Sequence, residues 1–140
     1  MNVKDWLRRA RIIEKELNQL SIAKQEAYDI ATGISVDTTK ERTQGGPSGN
    51  SVENKYINLL ELDLQISRQK EKLWRCKTEI LEAITMVEDA RYRTLLIAYY
   101  VNCKSWEEVA VQMNYGIRQV YRLHGAALRK IKIEDCLRCH

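Results

Sequence analysis

The sequence predicts an all-α protein: a long antiparallel, coiled-coil-like helical hairpin followed by a small helix-turn-helix domain of three to four helices. Three observations carry this. Apolar residues in 3–32 and again in 51–88 recur at steps of three, four and seven, the spacing of a helical seam and not the alternation of a strand. Five of the six glycines (Gly33, Gly45, Gly46, Gly49 and Gly116) and the single proline, Pro47, fall between the periodic stretches, where helix ends and turns belong. After about residue 90 the heptad regularity stops and short helical segments alternate with turn residues, as in a compact domain.

The first helix is expected over Val3–Thr32, about 45 Å long at 1.5 Å rise per residue. Its seam is Trp6, Ala10, Ile13, Leu17, Leu20, Ala27 and Ala31, interrupted by Lys24. Gly33 ends it. A connection over 34–50, centred on Gly45-Gly46-Pro47-Ser48-Gly49, has no periodicity and is expected to be flexible. It lacks the Gly-Lys-Ser/Thr ending of a phosphate loop.

Ser51 is a suitable N-cap for a second long helix running to Glu88 or Asp89. One stripe of it, Val52, Tyr56, Leu59, Ile66, Leu73, Ile80, Ile84 and Val87, can face the first helix. A second stripe, Leu60, Leu64, Trp74 and Leu81, then needs its own cover, either the C-terminal domain or another subunit, so homo-oligomerisation is expected. A shorter helix is predicted over Arg91–Asn102, with Tyr92, Leu95, Leu96, Tyr99 and Tyr100 on its apolar face. The division is thus 1–89 for the hairpin, 90–133 for the helix-turn-helix domain and 134–140 for a tail.

Charge is distributed unevenly. Residues 1–90 carry 14 Lys/Arg against 15 Asp/Glu, whereas residues 91–140 carry 9 against 4, so the net charge of +4 arises entirely in the last third. Between Ile117 and Lys132 stand Arg118, Arg122, Arg129, Lys130 and Lys132 with no acid among them, a pattern suited to a polyanion. A helix dipole would explain bases in the last turn but disfavours Arg118 and Arg122 near the start.

The most informative stretch is Ser105–Ile131. Ser105 followed by Glu108 forms a capping box for a short helix, Trp106–Met113. Asn114-Tyr115-Gly116 is the turn, with Asn and Gly as the residues that tolerate a left-handed backbone. A second helix follows, burying Ile117, Val120, Leu123, His124, Ala127, Leu128 and Ile131. Its other side presents Arg118, Gln119 and Arg122 in the first two turns. Arg can bond guanine O6 and N7 in bidentate fashion and Gln can do the same with adenine, so these three are the candidate base readers. Lys104, Ser105, Gly116, Tyr121, Arg129 and Lys130 are candidate backbone or auxiliary contacts; the Tyr121 ring has the alternative of packing on a neighbour. Gly125 interrupts the helix and is read as admitting another helix, with the DNA backbone as the rival explanation. His124 has no acid, cysteine or second histidine nearby in sequence and reads as a core or phosphate-facing residue.

Glu108-Val109-Ala110, Met113, Gln119-Val120-Tyr121-Arg122 and Ala127-Leu128 resemble the C-terminal, promoter-reading region four of sigma-70 factors. The longer run from Lys104 to Leu128 is similar to small phage-encoded transcription regulators of the RinA/ArpU-like family. That resemblance implies sequence-specific binding of double-stranded DNA in control of phage late genes, contact with RNA polymerase, and a cytoplasmic location in the bacterial host. In sigma-like recognition helices a Ser or Thr caps the start; Gly116 stands there in this chain.

Two other function classes stay open: a phage DNA-packaging subunit of the small-terminase kind, and an interaction module whose basic face meets an acidic protein such as polymerase. Enzymatic activity is not expected, because no paired carboxylates, activated nucleophile or complete metal set is visible. Cys136-Leu137-Arg138-Cys139-His140 matches the haem-attachment spacing formally but has no export signal or second axial ligand, and as a zinc site offers three ligands at most. No cofactor or metal is expected. Cys76 and Cys103 read as small core residues. No segment approaches the ~20 apolar residues of a membrane span.

Overall fold

A computed structural model describes residues 2–33 and 49–133, and these are helical throughout their regular structure. Helix α1 spans Val3–Thr32, α2 Gly49–Thr85, α3 Ala90–Leu96, α4 Trp106–Met113 and α5 Ile117–Lys130; α3 runs on into a π-helical turn, Ile97–Val101. The bounds of α1 and α4 are those the apolar spacing and turn residues predict; α5 starts at the predicted Ile117 but stops at Lys130, and Ile131, expected on its buried side, is an extended C-cap. The 34–48 part of the predicted connection, and the tail with Cys136, Cys139 and His140, lie outside the described residues.

Several boundaries differ from expectation, each for a local reason. Helix α2 begins at Gly49, so Ser51 sits inside the first turn and is not its cap. It ends at Thr85, three or four residues early. The Arg93 guanidinium donates to the carbonyls of Val87 (2.6 Å) and Glu88 (2.7 Å), giving the 86–89 segment partners that further helix would otherwise supply. Asp89 then caps α3, its side chain accepting from the Arg91 backbone amide at 2.9 Å. The predicted Arg91–Asn102 helix is therefore real but composite. Its last turn widens, with the Asn102 amide bonded to the Ile97 carbonyl at 2.9 Å. Cys103 follows in the left-handed region (φ 55°), half-buried in a loop and not on a helix face.

The described chain divides into two compact units, 15–71 and 1–14 with 72–140. In the second of these, α1 and α2 run antiparallel: Arg9 pairs with Glu79 (3.0 Å) and Glu14 with Lys77 (3.3 Å). Trp6, Leu7, Ala10 and Ile13 are buried there together with Leu73, Cys76, Ile80, Ala83, Ile84 and Val87. The same unit holds α3 to α5, with α3 and α4 both packed on α5 around Leu95, Leu96, Tyr100, Val109, Val120 and Ala127. Leu7 is wholly buried although it lies beside the heptad seam, because burial in this unit extends beyond the two-helix contact.

Within 15–71 the two helices make a simple pair. Lys24, the residue that interrupts the apolar seam, forms an ion pair with Asp63. Leu17, Leu59 and Ile66 are buried, and Leu20, Ala27 and Ala31 are half-buried. Val52 and Tyr56, predicted for the seam, are exposed. The second stripe of α2 is exposed along its length, Leu60 and Leu64 in this unit and Trp74 and Leu81 in the other, Trp74 by 68%.

Candidate nucleic-acid interface

The interface candidate is built on α4 and α5, and local chemistry explains its shape. The Ser105 hydroxyl accepts from the Glu108 amide at 3.2 Å, so the forward half of the capping box forms, while the Glu108 carboxylate lies 3.8 Å from Lys104 Nζ. Asn114 ends α4 in the left-handed conformation (φ 62°, ψ 38°), and the Tyr115 amide returns to the Ala110 carbonyl at 3.0 Å. Gly116 is not left-handed. It is the N-cap of α5 in extended conformation (φ −70°, ψ 154°) with no side-chain cap, so the tight reversal rests on Asn114 alone.

Helix α5 is strongly two-sided. Val120, His124 and Ala127 are buried, and Leu123 and Leu128 flank them half-buried. Ile117, expected inside, is 37% exposed. Opposite lie Arg118, Arg122 and Arg129, all exposed and spaced four and seven residues apart, hence on one face. Gln119 is exposed as well but a third of a turn round from Arg118. Lys130 is set apart from this ridge: it lines a cleft of about 480 Å³ with Met86, Val87, Glu88, Asp89, Tyr92 and Lys132. Lys104 is exposed at the start of α4, and Ser105 is half-buried with its hydroxyl engaged in the cap. Of the nine proposed contact residues, the structure thus brings Arg118, Arg122 and Arg129 onto one continuous face.

The aromatic residues form a support behind this surface. Tyr99 and Trp106 stack with ring centroids 3.7 Å apart and planes 11° from parallel, and Trp106 meets Tyr121 edge-on at 5.7 Å. Tyr121 therefore packs on its neighbour through one side of its ring while half of its surface stays exposed. On the far side of the stack Arg11 places its guanidinium 4.0 Å over the Tyr99 ring and donates to the carbonyls of Tyr99 (2.8 Å) and Lys104 (3.0 Å). No signal in the sequence marks Arg11 for this, since its partners lie 88 and 93 residues away.

His124 is a core residue. Its Nε2 lies 2.7 Å from the hydroxyl of Tyr100, which is fully buried. Burial, helped by the charge of Lys4, brings the His124 pKa down to about 4. Burial likewise raises that of Tyr100, so the pair is held neutral and is unsuited to proton transfer near neutrality. Burial also raises the thiol pKa of Cys76, and lifts that of Cys103 to about 11 with a contribution from Glu14, so neither is an activated nucleophile. Among the described residues no three His, Cys, Asp or Glu side chains are grouped to hold a metal ion, and no helix is long and apolar enough to cross a membrane.

The family described as "Protein of unknown function (DUF1492)" matches residues 34–132, which include α2, α3, the whole of the interface candidate and the cleft at Lys130. The chain belongs to this family. No curated protein and no solved structure matches it. The DUF1492 match leaves α1, and with it Arg11, outside its limits.

Proposed function

We propose that this DUF1492 protein is a sequence-specific DNA-binding transcription regulator that inserts the first turns of α5 into the major groove. The observation that carries this reading is the exposed Arg118-Arg122-Arg129 face of α5, in a segment free of acids and set behind a short capped helix and a tight turn. Arg118 and Arg122, with Gln119 beside them, read base edges; Arg129 and Lys104 meet phosphates. The resemblance of Lys104–Leu128 to sigma-70 region four and to RinA/ArpU-like regulators supports a role at phage promoters in the bacterial cytoplasm, with RNA polymerase as a further partner. The exposed stripe Leu60, Leu64, Trp74 and Leu81 supports assembly into oligomers, which would bring a second α5 to the same duplex.

Selection of sites from random duplex DNA, followed by anisotropy titrations, tests this. Binding should weaken steeply with salt. Arg118→Ala and Arg122→Ala should each lose about 1–3 kcal/mol on the selected site and relax its sequence preference. Absence of binding to any duplex, or binding indifferent to salt, would overturn the reading. The same exposed stripe also suits a DNA-packaging subunit; a ring of many copies by solution mass measurement would select that alternative, and a monomer or dimer the regulator.

A further inference from the structure

Gly125 has no explanation inside the described protein. It stands in the middle of α5, where glycine is less favourable than alanine by about 1 kcal/mol. Its backbone is ordinary: it is absent from the positive-φ positions, so no left-handed conformation requires it. Nor does packing require it. A Cβ built at Gly125 meets no atom of the described residues within 4 Å beyond its own chain neighbours and helix backbone, so the helix-helix contact its sequence position suggests does not occur. What remains is the surface it belongs to. Gly125 lies seven residues after Arg118, three after Arg122 and four before Arg129, and these steps put all four on the same side of α5. It is therefore a gap in a ridge of long cationic side chains.

We propose that Gly125 is a clearance position, at which the sugar-phosphate backbone of bound duplex DNA comes into direct contact with the main chain of α5 between Arg122 and Arg129. The chemistry fits. The Arg129 guanidinium on one side can hold a phosphate while Arg122 on the other reaches a base edge, and the missing side chain between them lets the strand approach closer than any Cβ would allow. The helix is intrinsically weaker at this point, and the compensation comes from the complex. This inference rests on the DNA-binding reading and deepens it by assigning a positioning role to a residue with no side chain.

The test separates folding from binding. Gly125→Ala should raise the melting temperature of the full chain by about 3 °C, because α5 gains helix propensity and the methyl group meets open space. The same substitution should weaken binding to a selected duplex by about tenfold, and Gly125→Leu by more, at unchanged oligomer mass. Retained affinity in both variants overturns the proposal, as does a change of oligomer mass with affinity intact, which would give this face to a second copy of the chain. A wild-type chain that binds no duplex defeats the DNA-binding reading itself, and is recognised before any variant is made.

Discussion

Both compact units use α1 against α2, yet they bury very different amounts. In the unit of 1–14 and 72–140 the helix pair is joined by α3, α4 and α5, and Leu7, Ile80, Ile84, Leu95, Leu96, Tyr100, Val109 and Val120 are almost completely enclosed. Among the described residues of 15–71 the buried ones are Leu17, Leu59 and Ile66, while Ile22, Tyr28, Ile30, Tyr56, Ile57, Leu60 and Leu64 are exposed by about half or more. Two helices can share one seam but leave their remaining faces to solvent, so a third element is needed to enclose whole side chains. The lesson is that enclosed side chains are concentrated where the interface candidate sits, while the two-helix unit leaves most of its described large apolar side chains in solvent.

The largest expected effect tests that contrast directly. Leu96→Ala, at a fully enclosed site, should cost about 4 kcal/mol, and Ile66→Ala about 2 kcal/mol because a two-helix seam can close over the gap. Urea unfolding measures both. Equal losses would break the comparison, and amide exchange sharpens it if 15–32 opens more readily than α5.

Next in size is a pH effect confined to the enclosed unit. His124 in the folded chain has a pKa near 4 against an ordinary value of 6.5. A depressed histidine favours folding while it is neutral, so its contribution is complete above pH 6.5 and is lost as pH falls from about 6.5 to about 4. The full loss is about 3 kcal/mol. Wild type should lose stability over this interval faster than His124→Gln, compared by urea midpoints; parallel curves would show that His124 does not carry the effect.

The smallest effect concerns the bare cap of α5. Gly116 adopts a conformation open to any residue, and a Cβ there meets nothing within 4 Å. Gly116→Ser should add a few tenths of a kcal/mol by accepting from the exposed amides of the first turn, visible as a slightly higher thermal midpoint. A lowered midpoint would mean that the turn does not admit a hydroxyl.

Much of this was legible in the chain itself, and what escaped shares a cause. Val3–Thr32, Trp106–Met113 and the start of α5 at Ile117 are set by local spacing, caps and turn residues, so these bounds follow from neighbours a few positions away. The exposure of Arg118, Arg122 and Arg129 follows from the same periodicity. The π-helical turn at Ile97–Val101, the Tyr100–His124 hydrogen bond across 24 residues and the Arg11 contacts depend on partners distant in sequence, and no window of residues encodes them. Gly125 was ambiguous for a related reason. Sequence marks an anomaly in a helix, but only three-dimensional surroundings tell whether the space beside it is filled.

The Arg11 contact separates recurrence from self-sufficiency. The stretch common to the family, 34–132, contains every arginine of α5, yet the guanidinium that covers Tyr99 and takes up two carbonyls ahead of α4 comes from outside that stretch. A polypeptide trimmed to 34–132 would keep the lettering of the candidate interface and lose part of its mounting. Its Tyr99 ring would face water on one side, and the Tyr99 and Lys104 carbonyls would have to find other donors. For this chain the portable piece is therefore longer than the shared one.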